Sequence, residues 1–314
     1  MHLCNNVTVA LAAVLLGLPG AISAQDDPNT FRADTRLVVL HASVVDGKGN
    51  LITSLKRNDF KVFENSVEQQ VKVFRREDVP VSMGLIIDNS GSMRDKRKKV
   101  ETAALALVKA SNPQDEVLVV NFNDEAYEDV PFTNDIKKME EGLTKIDSRG
   151  GTAMRDAIDL VIDHMKSKAK KDKKVIFIVT DGNDNTSTMG LEKLVQKAHN
   201  SEIVMYAIGL LNEEEHREAK KAKRALDALT SASGGVSYYP KELAEVERIA
   251  LQVAQDIRNQ YIIAYTPSNT ALDGSFRQIK VQTPSHKYSV RTRSGYYATP
   301  DTPRRASAGT KPAE

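Results

Sequence analysis

Cysteine is almost missing from the 314 residues, and the single one, Cys4, lies in an N-terminal apolar segment. A chain that loses this segment has no disulfide and no thiolate metal site, so any metal must be held by oxygen or histidine. Charge of one sign is lacking too: 44 basic side chains face 42 acidic ones for a formal net charge of +2. Nucleic acid and anionic lipid therefore find no field to follow, and no nucleic-acid partner is expected. Three lysine-rich stretches, 94–99, 166–174 and 216–224, have no interleaved aromatics and fall on or beside helical patterns, so each reads as a solvated face. Phosphate-loop, HExxH and GxSxG signatures are absent. The six histidines are scattered, with His164, His199 and His216 in surface patterns of helices. A Ser-His-Asp assembly stays open at this level, because triads are made in space.

Long apolar runs are confined to residues 7–18, which precede Pro19-Gly20 and small residues up to Ala24. This is the shape of a secretory signal at 1–24, although no Lys or Arg precedes the run. The run is shorter than the roughly 18 residues that cross a bilayer. The expectation is an exported protein, periplasmic or secreted, with no integral membrane segment after cleavage and an N-terminal anchor where the signal is kept. Past Ala298 the composition shifts to Pro, Thr, Ala, Gly and Lys, so 299–314 is expected to be disordered.

What is present falls into three blocks. Residues 34–80 alternate apolar and polar, with turn chemistry at Asp46-Gly47-Lys48-Gly49-Asn50 and Glu64-Asn65, which predicts three or four strands. Residues 259–298 alternate again, over NQYIIAYTP, GSFRQIKVQT and YSVRTRSGYYA, which predicts three more. Neither flank alone can bury two faces, so the two are expected to make a single small β-sandwich. Between them, 81–258 carries four continuously apolar runs, 83–88, 116–122, 174–180 and 203–209, separated by amphipathic segments of helical length. Strands alternating with helices predict an α/β, doubly wound, mainly parallel sheet.

In such a sheet, ligands bind beyond the carboxyl ends of the strands. Three loops at that edge carry oxygen chemistry: Asp88-Asn89-Ser90-Gly91-Ser92 after the first run, Gly150-Gly151-Thr152 before a helix, and Thr180-Asp181-Gly182 after the third run. Carboxylates and hydroxyls without histidine suit a hard cation. DxSxS alone is equally a capped helix start. Asp95 and Asp124, nearby, read as solvated loop residues, and Asp184 as a polar loop tip, with charge added behind the site as the alternative.

The three loops together resemble the metal-ion-dependent adhesion site of von Willebrand factor A domains. The resemblance implies a Rossmann-like fold and one Mg2+, Mn2+ or Ca2+ per chain. It assigns Ser90 and Ser92 as direct ligands, Thr152 as a direct or water-mediated one, and Asp88 and Asp181 as carboxylates acting largely through bound water. It also implies a non-enzymatic module for adhesion or envelope assembly, whose protein partner donates an Asp or Glu carboxylate. Over about 34–298 the flanks also resemble bacterial, notably acidobacterial, proteins that carry an A domain between strand-rich segments. A metal-dependent hydrolase, or a structural envelope protein with a vestigial site, are the alternatives that turnover assays and chelation would separate.

Overall fold

The computed structural model describes residues 36–144, 148–285 and 287–300; the expected signal at 1–24 and all but the first two residues of the expected tail lie outside them. In chain order the N-terminal flank holds β1 Val38–Val45, β2 Lys61–Glu64, β3 Val67–Gln69 and β4 Val71–Arg75. The middle runs through β5 Val81–Asp88, α1 Arg97–Lys109, β6 Glu116–Phe122, β7 Ala126–Thr133, α2 Ile136–Thr144, α3 Met154–Ser167 and β8 Lys173–Thr180. It continues through α4 Leu191–His199, β9 Ile203–Gly209, α5 His216–Ser233, β10 Ser237–Tyr238 and α6 Glu245–Arg258. The C-terminal flank adds β11 Tyr261–Tyr265, β12 Phe276–Gln282, β13 Ser289–Arg291 and β14 Gly295–Tyr297.

The middle is a six-stranded sheet in the order β10-β9-β8-β5-β6-β7. β5 pairs in parallel with both β6 and β8, and β8 with β9. Every residue of β5, β6 and β9 is buried, because helices cover both faces. Leu85 and Ile87 pack with Val100, Leu107 and Val253 of α1 and α6 on one side. Ile86, pointing the other way, packs with Ile158, Leu194 and Leu226 of α3, α4 and α5. Each such side chain contributes about 1.5–3 kcal/mol by leaving water. β7 was not read from the sequence: it pairs antiparallel with β6 at the sheet edge, where only one of its eight residues is buried and the apolar signal thins.

The flanks interleave as expected. One four-stranded sheet has the order β13-β1-β11-β4 and the other β14-β12-β2-β3. β1 pairs antiparallel with β11, and β2 with β12, so each sheet is built from both ends of the chain. Leu40, Val62, Tyr261, Ile263, Tyr265 and Ile279 share one core, and buried Glu64 accepts hydrogen bonds from the hydroxyls of Tyr265 and Tyr296 at 2.8 and 3.0 Å. One expectation fails: YSVRTRSGYYA is two strands in different sheets, not one. The polar residues Thr292, Arg293 and Ser294 carry the chain across, and the Ser294 amide bonds Ala232 O at the end of α5.

The α/β domain and the sandwich are joined by polar contacts at the end of α6. Buried Asp256 accepts hydrogen bonds from Tyr206 Oη and Arg291 Nη2, while Gln260 Nε2 donates to Ser43 Oγ and Tyr206 Oη. His199 is not on a solvated face: it is buried, with its ring 4.9 Å from that of Phe276 in β12. Among the described residues, no helix is long and apolar enough to cross a membrane.

Candidate metal site

Asp88 ends β5 and Thr180 ends β8; because these strands are neighbours in register, the loops that follow them meet at the carboxyl edge of the sheet. Asp88 is fully buried. Its Oδ1 accepts the Ser90 amide at 2.8 Å and its Oδ2 accepts Thr180 Oγ1 at 2.6 Å. These bonds fold the Ser90–Met93 turn over the strand end. Burial pushes the Asp88 carboxyl up to about 6, with the charge of Asp181 adding and the bonds from Ser90 and Thr180 opposing.

The hydroxyls converge. Ser90 Oγ lies 3.2 Å from Ser92 Oγ, and Ser92 Oγ donates to Asp181 Oδ1 at 2.8 Å. Ser90 and Asp181 are buried whereas Ser92 is exposed, which leaves the cluster open to solvent. Adjacent ligands of an octahedral ion bound at 2.0–2.1 Å stand about 2.9 Å apart, so these oxygens already have the spacing of one coordination shell. Among the described residues no group of three or more His, Cys, Asp or Glu is placed to hold a metal; the donors gathered at this edge are instead a mixed set of hydroxyls and carboxylates, the chemistry of a hard cation's ligands.

Thr152, also buried, comes from the third loop. Its amide bonds Asn185 Oδ1 at 2.9 Å and its carbonyl accepts the Asn185 amide at 3.1 Å, which ties it to the stretch after Asp181. Its Oγ1 is 4.0 Å from where a Cβ on Gly182 would stand, so Thr152 borders the Asp181 loop. Gly150 has φ +72°, and a side chain there would run into the carboxylate of Asp124. Asp124 is exposed, as read from sequence, and also accepts the Gly151 amide at 2.7 Å, which sets the loop's curvature. Asp184 is likewise engaged rather than a free loop tip, accepting the Arg155 amide and guanidinium at 2.7 and 2.9 Å.

The larger correction concerns residues 94–99. Arg94, Asp95, Lys98 and Lys99 are exposed as expected, but Lys96 and Arg97 are only 7% and 2% exposed. The turn after Ser92 rotates these two inward. Lys96 Nζ pairs with Asp181 Oδ2 at 2.7 Å. Arg97 Nη2 donates to Asn121 Oδ1 at 2.7 Å and to Leu143 O at 3.3 Å, and burial lowers its guanidinium to about 10 against the opposing pull of Glu101, Asp88 and Asp129. Glu214 faces the same loop, its Oε2 3.6 Å from a Gly182 Cβ position; burial first, then the charges of Asp181 and Glu218, hold its carboxyl above the usual range. Nothing in a basic pentad or in a run of three glutamates, Glu213-Glu214-Glu215, announces these placements.

Residues 83–183 match the family model of the von Willebrand factor type A domain. Among solved structures, a von Willebrand factor type A protein from Catenulispora acidiphila superposes with a TM-score of 0.50 at 13% identity, over 85% of this chain and 74% of that one. The vWF domain of the type V pili tip protein Mfa5 from Porphyromonas gingivalis gives 0.46 at 13% identity, over 57% and 97%. The PilB minor pilin from Streptococcus sanguinis gives 0.47 at 13% identity over 59% of this chain, which spans 62% of the pilin's length. No curated protein sequence matches the chain. Residues 83–183 thus carry a von Willebrand factor type A domain, matched across all three loops, and its α/β sheet is inserted in the chain between the two flanks that pair with each other in antiparallel sheets.

Proposed function

We propose that this A domain is a divalent-cation-dependent protein-binding module for adhesion or envelope assembly, and that Asp88, Ser90, Ser92, Thr152 and Asp181 hold one Mg2+, with Mn2+ or Ca2+ as substitutes. The observation that carries the reading is the oxygen spacing, 3.2 Å between Ser90 and Ser92 and 2.8 Å from Ser92 to Asp181. Ser90 and Ser92 turn hydroxyl lone pairs toward the ion. Asp88 keeps the turn folded through its bonds to Ser90 and Thr180, and Thr152 stands on the opposite loop. A bound cation supplies a water-occupied position that a partner's Asp or Glu carboxylate can take. The ligand set is rich in neutral hydroxyls, so the ion's charge is incompletely matched and an anion is favoured over a neutral carbonyl. Export follows from the apolar run at 7–18 and the small residues to Ala24.

Calorimetry with Mg2+ on the full chain is expected to give near 1:1 binding, lost in Asp88→Ala and in Ser90→Ala while circular dichroism stays native. The melting temperature rises with ion concentration by mass action. Normal Mg2+ binding in both variants overturns the reading.

A further inference from the structure

We propose that Lys96 is a tethered counter-cation of the site: its ammonium neutralises Asp181 in the metal-free protein, and a divalent ion binds only by displacing it. The proposal rests on the metal-binding reading of the same loops. Lys96 Nζ sits 2.7 Å from Asp181 Oδ2, on the carboxylate whose other oxygen takes the Ser92 hydroxyl, and the two side chains are only 8% and 1% exposed. A buried carboxylate stripped of its partner is strongly destabilising, so the metal-free loops need a cation here. Buried Arg97, the next residue, also feels the charge of Asp88, after that of Glu101. Asp181 is thus already paired before any metal arrives.

A divalent ion adds charge where the Lys96 ammonium already sits. At the separations of neighbouring ligand shells, a +1 group repels a +2 ion strongly in a partly dry site, so Lys96 sets a threshold for metal binding. Its chain is long and flexible, and Glu214 offers a second carboxylate at the same loop, its Oε2 3.6 Å from a Cβ position on Gly182, the residue after Asp181. The displaced ammonium can therefore move from Asp181 to Glu214 without leaving the site. The loaded site then keeps excess positive charge, which sharpens its demand for an anionic ligand.

The test is Mg2+ calorimetry and thermal melting on full-length wild type, Lys96→Met and Lys96→Arg. Lys96→Met is expected to bind Mg2+ about tenfold tighter or more, to melt lower without metal and to gain more from Mg2+, while Lys96→Arg stays near wild type. A folded Lys96→Met that binds no tighter overturns the proposal and leaves the metal site standing. Binding in Lys96→Met with none in wild type supports it and sinks the proposed function instead. Absence of binding in all three overturns both. If Lys96→Met does not fold, Glu214→Gln serves: weaker Mg2+ binding is expected, and unchanged affinity overturns the proposal.

Discussion

At the scale of residues, the five side chains proposed for the site could be named from sequence because DxSxS, Gly-Gly-Thr and Thr-Asp-Gly are local patterns whose spacing survives without a structure. Their supports could not. Asp184, Lys96 and Arg97 are ordinary charged residues in polar stretches, and only the tertiary fold decides which charges turn inward. His41 is another such case. Its Nδ1 is buried without a hydrogen-bond partner, and burial, followed by the charges of Lys173, Arg293 and Lys174, lowers its pKa from 6.5 to about 3. The folded ring stays neutral where an unfolded chain takes up a proton, so the stability it contributes is present above pH 6.5 and lost as pH falls toward 3. Between pH 7 and 5 this loss reaches about 2 kcal/mol. Urea unfolding across that range is expected to show the decline, with a shallower slope in His41→Gln; an unchanged slope in the variant refutes the assignment.

Elements were legible in proportion to how continuous their apolar signal is. β5, β6, β8 and β9 follow the expected runs to within two residues, since a strand buried on both faces needs apolar residues at nearly every position. β7 and β10 carry no such signal, being at the sheet edges. The C-terminal segment was read as one strand because alternation continues through Thr292, Arg293 and Ser294, although the chain changes sheets there. Gly234 shows what fixes that crossing. It ends α5 at φ +87°, its amide bonds Thr230 O, and a Cβ on it would lie 2.5 Å from Arg293 N. Gly234→Ala combines left-handed strain with a backbone clash and should cost more than about 2 kcal/mol. Chemical denaturation measures this, and a loss under about 0.5 kcal/mol, the range of neutral surface changes, contradicts the account.

At the scale of the whole molecule, the nesting of the α/β domain between two flanks followed from a burial argument: neither flank has enough strands to cover its own apolar face. The joint between them was not legible, because it is polar and assembled from β1, β9, α6 and β13. Asp256 is its centre, pairing with Arg291 at 2.8 Å and accepting from Tyr206 at 3.0 Å. Asp256→Asn removes the charge that Arg291 meets and should cost about 2 kcal/mol in unfolding free energy, without changing Mg2+ affinity. A variant as stable as the parent would mean that apolar packing alone holds the two parts together. The central claim, that three loops at the sheet edge form one cation site, is tested most directly by diffraction from crystals soaked in Mn2+. The account predicts a single anomalous peak within about 2.2 Å of Ser90 Oγ and Ser92 Oγ, with Lys96 Nζ moved off Asp181; no peak between those hydroxyls, with Lys96 still on Asp181, contradicts it.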